Sequence, residues 1–242
     1  MSGQPEPRVP AYRRLTVDER RAQLIANALR LFAHHAPEDV SLDDVARLAE
    51  VSRPLVYRYF PGGKQQLYEA ALQQAAERLA ACFDVPAEGP LSERLRSGLD
   101  RYLAFVREHG EGFTALLRGG SVVETARTTA IVDSVRRSAA QAVVSHMAVR
   151  RPGPWLRTAV RAWISSVEAM SLISLDEGEL GLAELRDYLV DLFVGQLVIT
   201  AAHDRQTARV LRAAAELEPP DGRVATLLDR ALRAVTPEPA GS

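Results

Sequence analysis

Between Val51 and Lys64 the chain reads VSRPLVYRYFPGGK. Two arginines, two tyrosines and a proline fall within residues 53–59, followed by a Pro-Gly-Gly break and the one lysine of the sequence. On a helix, at about 100° per residue, Val56 and Phe60 share a face. Pro54, Leu55 and Arg58 point the opposite way, with Tyr57 and Tyr59 on the flanks. Such an outer face, with no carboxylate of its own, suits the major groove of DNA. Arginine pairs bidentately with guanine O6 and N7, and a leucine meets a thymine methyl. Tyrosine hydroxyls and Lys64 fit phosphates, which position a helix without reading sequence. Free N–H groups at helix starts capped by Ser41 and Ser52 would receive phosphate as well.

A helix this short is marginal in water, so neighbouring elements must brace it. Thr16 and Glu19 form a capping box opening a first helix, whose apolar stripe is Leu24, Ile25, Ala28, Leu29, Leu31 and Phe32. Ser41 caps a second, short helix with Asp44 at its third position, and Ser52 caps the third. Val40 with Val45, and Val51 with Val56, have the spacing of hydrophobic staples. Only Glu50 and Val51 separate the second helix, ending near Ala49, from the cap of the third, which is helix-turn-helix spacing. Pro54 falls in the first turn, where its missing N–H is harmless, and Pro61 stops the helix. Val56 and Phe60 are expected to pack on Leu31, Phe32, Val45 and Leu48. The competing reading is a helical hairpin with a solvated arginine face. Arginine supplies 29 of the 30 basic residues, so an exposed arginine alone argues little. Two outward tyrosines and a leucine have no solvation rationale, and that favours the DNA reading.

The rest of the chain is helical in pattern, which makes an all-α protein; strand alternation is missing. A long helix is expected from Lys64 to Cys82. Others follow near 91–109, 112–118, 121–148, 155–176 and 182–203, with two short amphipathic segments either side of LEPPDG at 217–222. Residues 1–15 read as a flexible arm and 236–242 as a flexible tail. Between them lie a helix-turn-helix domain at 16–64 and a larger helical domain at 65–235. Arg8, Arg13 and Arg14 on the arm suit a minor groove, and a disordered solubilising tail explains them equally well. Formal net charge is −1. Residues 1–64 hold ten basic against eight acidic side chains, too weak an excess to argue nucleic acid by itself. One cysteine, Cys82, excludes an internal disulfide. No apolar run reaches membrane-spanning length and no signal peptide is legible, so a cytoplasmic protein without membrane contact is expected.

The stretch ALRLFAHHAPEDVSLDDVARLAEVSRPLVYRYFPGGKQQLYEAAL resembles the N-terminal domain of the tetracycline-repressor (TetR) family of bacterial transcription regulators. The match covers roughly residues 17–72. It includes the LF ending helix one, Ser41 opening helix two, VA at 45–46, VS before helix three, the Y-x-Y-F of residues 57–60, and a lysine followed three residues later by Leu67. The resemblance implies a homodimer with its recognition helix in the major groove of operator DNA. It also implies a C-terminal domain carrying an effector pocket and the dimer interface. Carried over by position, Ser52, Arg53, Pro54, Leu55 and Arg58 form the base-facing set, and Ser41, Tyr57, Tyr59 and Lys64 contact phosphate. Two departures stand out. Glu50 occupies the turn where the family has glycine, so a left-handed backbone there carries a side-chain cost. FPGGK is one residue longer than the common F-x-x-K, which Gly62 and Gly63 can absorb.

For the C-terminal half, RTAVRAWISSVEAMSLISL and LVDLFVGQLVITAA are too apolar for helices exposed on one side. Their small residues permit close approach, so helices 155–176 and 182–203 are the expected dimer interface; core helices of a monomer are the alternative. An effector pocket for an unidentified small molecule is expected between 91–118, 121–148 and 155–176. Its candidate lining is Phe105, Phe113, Arg118, His146, Met147, Arg161, Trp163, Glu168 and Met170. Arg161 and Arg118 are the expected partners of Glu168 or of an anionic ligand. Ordinary core packing explains each wall residue too, and an interface salt bridge explains Glu168. His109 and His146 read as surface or packing residues, since neither has a second ligand at metal spacing. With no phosphate loop, nucleophile elbow or metal spacing, no cofactor, metal or catalytic residue is expected. The remaining alternative is an effector-independent helix-turn-helix adaptor.

Overall fold

The computed structural model describes residues 15–84, 86, 88–110, 114 and 125–227, and everything regular in them is helical. The expected arm, the helix near 112–118 with Phe113 and Arg118, and the tail lie largely or wholly outside these residues.

The first three helices are α1 (Val17–His34), α2 (Leu42–Leu48) and α3 (Arg53–Tyr59). Thr16 and Ser41 cap α1 and α2 through reciprocal boxes with Glu19 and Asp44. Ser52 sits at the cap position of α3 but its side chain makes no capping bond, contrary to expectation. The second helical residue is Pro54, which has no N–H to give, and the Leu55 N–H goes to the Ser52 backbone carbonyl at 2.9 Å. The turn between α2 and α3 closes at Glu50 with φ of 54°, the left-handed conformation that the resemblance implied.

Phe60 ends α3, and α4 (Gly63–Ala81) starts one residue earlier than expected. The passage needs glycine: Gly63 takes φ of 67° while its N–H bonds the Phe60 carbonyl at 2.9 Å. Val56 and Phe60 are fully buried in a first core with Leu24, Phe32, Val45 and Leu67. Leu48 is 37% exposed and Leu31 only flanks this core; the guanidinium of Arg21 instead covers the Phe60 ring, 5.3 Å from its centroid.

Five further helices follow: α5 (Leu91–Glu108), α6 (Ala126–His146), α7 (Pro154–Glu177), α8 (Leu182–His203) and α9 (Arg205–Ala215). α6 starts five residues later than the sequence pattern suggests, where Thr125 and Thr128 form a capping box. A second core joins α5, α7 and α8 around Leu99, Leu156, Val160, Leu189 and Phe193. Trp163 fixes its centre, with its ring 4.6 Å from Phe193 and its indole N–H donated to the Leu189 carbonyl at 2.8 Å. Residues 223–227 are helical, and Arg223 ties them to Asp191 of α8 with two bonds of 2.7 Å.

The first core does not stop at the reader helices. It continues along α4 to Ala76 and takes in Ile131 of α6. Glu69 of α4 reinforces that contact, meeting Arg127 and the Thr125 hydroxyl, each at 3.3 Å. α4 and α6 are therefore shared between the reader and the body behind it.

Candidate nucleic-acid interface and the cavity behind it

Only Val56 of α3 is buried; Ser52, Arg53, Pro54, Tyr57 and Arg58 are exposed, and Leu55 and Tyr59 are half-buried. The outer face is thus available, though its side chains are more constrained than α3 alone indicates. Arg53 meets Asp43 of α2 at 3.2 Å and the Tyr57 hydroxyl at 3.5 Å, with its guanidinium 5.6 Å from the Tyr57 ring. The bond to Tyr57 and the charge of Asp43 push the Arg53 pKa above its ordinary value. A carboxylate therefore does stand beside the reading face, contributed by a neighbouring helix that the projection of α3 could not include. Arg58 lies over the Tyr59 ring at 5.7 Å.

The expected phosphate set is similarly engaged. Lys64 donates its ammonium to the Glu38 carbonyl at 2.8 Å, tying α4 to the loop before α2. The Ser41 hydroxyl donates to Asp44 at 2.5 Å and accepts its backbone N–H at 3.1 Å. These bonds hold Asp44 below the usual carboxylate pKa. Tyr59 packs its ring against the first core.

Behind the reader, α1, α4, α5, α6 and α7 enclose a cavity of about 160 Å³. Of the expected lining, Phe105, His146, Trp163 and Glu168 face it. Met147, Arg161 and Met170 do not. Met147 is buried in the second core as the residue ending α6, Arg161 is on the exposed side of α7, and Met170 packs against the second core. Arg118 lies outside the described residues, and among those residues the partner of Glu168 is not Arg161 but Arg136 of α6. Its guanidinium donates three bonds of 2.9–3.1 Å to the carboxylate and reaches Asp133 at 3.3 Å. That pairing raises the Arg136 pKa.

His109 is a buried cavity residue rather than a surface one. It stacks on Phe105 with centroids 4.2 Å apart, and its Nδ1 lies 3.0 Å from the Phe105 carbonyl. Arg94, Tyr102 and Arg136 line the cavity and were not singled out from sequence. Tyr102 sits within the apolar stripe of α5, where a tyrosine looks like core. Arg136 is one of two adjacent arginines, and only its direction in space separates it from Arg137. Burial pushes the Tyr102 hydroxyl pKa well up, and burial followed by the charge of Arg94 lowers that of His146. Among the described residues no cluster of three metal-capable side chains occurs, and no helix is long and apolar enough to cross a membrane.

A braced three-helix reader fused through shared helices to an all-helical body is the architecture of a DNA-binding transcription regulator. Residues 24–71 match the N-terminal model of bacterial regulatory proteins of the tetR family, and 91–196 match a tetracyclin repressor-like C-terminal domain. A crystal structure of a tetR-family transcriptional regulator from Streptomyces coelicolor is 45% identical, with a TM-score of 0.87 over 91% of this chain and 99% of the other. The chain belongs to the TetR family of transcription regulators. Among curated proteins it is 28% identical over 113 residues to the HTH-type transcriptional activator FasR of Mycolicibacterium smegmatis. It is also 28% identical over 117 residues to the regulator EthR of Mycobacterium tuberculosis. These alignments span 46–47% of this chain and about half the length of those relatives, 51% in each case.

Proposed function

We propose that the protein is a repressor that binds a palindromic operator as a homodimer and leaves it when a small molecule fills the cavity. The observation that carries this reading is the position of α6. Its first turn holds α4 through Glu69, Ile131 lies in the core of the reader, and Arg136 reaches the cavity wall. A ligand that binds more tightly to one placement of α6 biases α4, and with it α3. Coupling requires only such a difference in affinity. In this reading residues 16–64 are the DNA-binding unit and 65–235 the effector and dimerisation unit. Ser52, Arg53, Pro54, Leu55 and Arg58 meet the groove floor. Ser41, Tyr57, Tyr59 and Lys64 hold the backbone, with Lys64 exchanging the Glu38 carbonyl for phosphate.

Dimerisation through α7 and α8 is supported by the apolar side chains they expose, including Ile173, Tyr188 and Ile199 at 52%, 53% and 67%. Working on DNA, the protein is placed in the cytoplasm. Occupancy of a promoter represses without further contacts. One relative carries the name of an activator, so the sign is to be read directly by transcription in vitro.

The test is selection from a pool of randomised duplexes at two salt concentrations. An inverted repeat surviving at the higher salt is expected. Its half-site spacing then gives the distance between the two copies of Arg58. Binding that is flat across sequences and vanishes with salt would overturn the reading.

A further inference from the structure

We propose that Asp43 of α2 is a specificity-determining residue of the reader: it aims Arg53 at a guanine and keeps that arginine off the phosphates. The proposal rests on the DNA-binding reading above and is independent of the effector. Asp43 is the second residue of α2, where a carboxylate ordinarily serves the start of its own helix. Here Asp44 does that, bonding the N–H and the hydroxyl of Ser41. Asp43 instead reaches across the turn to Arg53 of α3, ten residues on, at 3.2 Å. The two side chains are 51% and 56% exposed, so the pair lies open on the outer face. An exposed pair contributes little to folding, and stability does not account for a carboxylate beside a surface that must meet DNA.

Such a carboxylate works against binding in general, because it repels the phosphate backbone that supplies most non-specific affinity. It acts differently on the two partners open to Arg53. A phosphate brings a negative charge and is repelled, whereas O6 and N7 of guanine are neutral acceptors and are not. Specificity is a difference of affinities, and a repulsive element aimed at the wrong partner creates one. The contact also fixes direction. Asp43 takes Nη1 of the guanidinium, while the Tyr57 hydroxyl stands 3.5 Å from Nη2 and the Tyr57 ring lies alongside, its centroid 5.6 Å away. Apart from that long contact, the edge formed by Nε and Nη2 makes no bond among the described residues. Two donors on one edge are what O6 and N7 of guanine accept. Arg58 offers an internal control, since it rests on Tyr59 with no carboxylate partner among the described residues.

The duplex recovered by the selection above and one of unrelated sequence are titrated with the full-length protein and with Asp43→Asn, which keeps the shape and removes the charge. The variant is expected to bind the unrelated duplex severalfold more tightly, with a salt slope steeper by up to ~1 as Arg53 turns to a phosphate. Base pairs of the selected site are then replaced one at a time. Preference for guanine at one position of each half-site should fall ~10-fold, within the range that one bidentate contact supplies. Preference elsewhere in the half-site, including the base read by Arg58, should stay. In an Arg53→Ala background, Asp43→Asn should change preference at no position. Circular dichroism reports the fold, and Asp43→Ser carries the same expectations should the asparagine variant not fold. Weaker binding of the unrelated duplex, or an undiminished guanine preference, overturns the proposal. So does a further loss of preference in the Arg53→Ala background, which would make Asp43 a reader in its own right. A parent that selects an inverted repeat, matched by its Asp43→Asn variant at every position, sinks the role of Asp43 alone. A parent with no sequence preference sinks the DNA reading, and the role of Asp43 with it.

Discussion

The reader and the cavity handle the same side chain in opposite ways. On α3, Arg53 and Arg58 are exposed, resting on Tyr57 and Tyr59, and Arg53 also touches Asp43. Exposed ion pairs of that kind are worth ~0–1 kcal/mol, so these arginines are held in place yet can exchange their partners for DNA. Around the cavity, Arg94 is buried on carbonyls and Arg136 is locked by three bonds to Glu168. A charge there needs a partner before a ligand arrives, because leaving one unpaired in the interior is costly. The reader therefore keeps its charges ready for exchange, while the cavity responds to ligand by rearranging bonds already made. α6, which touches both regions, is where the two behaviours meet.

The largest expected effect tests the brace. Phe60→Ala removes a fully buried ring from the first core and should destabilise the protein by ~3–5 kcal/mol, abolishing DNA binding through loss of the reader. A thermal melt unchanged from the parent would show that α3 does not depend on this core.

Next comes the division within the reading face. Arg58→Ala should leave the melt alone and cost ~1–3 kcal/mol of binding at one base position. Lys64→Ala should weaken every duplex alike and lower the salt slope by ~1. Equal losses on all sequences for both variants would remove the distinction between reading and positioning.

A smaller effect is expected at the cavity. Arg136→Met leaves the Glu168 carboxylate, only 19% exposed, without its fork. Allowing for the partial exposure of Arg136, the loss should be about 1 kcal/mol, read by denaturant titration. A stability gain instead would mark the pair as a net burden to folding, as some buried pairs are.

The smallest change should stabilise. Glu50→Gly relieves a left-handed residue at φ of 54° and is expected to add ~0.5–1 kcal/mol. A loss would mean that Glu50 makes contacts outweighing its strain.

What was legible follows the same divide. Caps, staples and turn spacing are local, so the limits of α1 to α3 and the burial of Val56 and Phe60 showed in the order of residues, while the left-handed Glu50 was implied by the glycine that the family has at that place. The cap of α3 was misjudged because Pro54 removes the N–H that Ser52 would accept. The Asp43–Arg53 pair was missed because it spans two helices. Around the cavity the balance reverses. Phe105, His146, Trp163 and Glu168 were singled out and do face it, whereas Arg161 and Met170 point elsewhere on the same helix as Glu168. His109, read as a surface or packing residue, lies inside.

The sequence by itself determined the helical class, the braced reader and the chemistry of its outer face, because hydrogen bonds and apolar contacts within a few residues dictate those features. Tertiary structure alone decided that Arg136 holds Glu168, that Arg94 stands beside His146, and that α6 joins the reader core to the cavity. Each of these depends on how helices far apart in the chain cross one another. A side chain's partner across such a crossing is set by helix rotation and offset, which local periodicity does not encode.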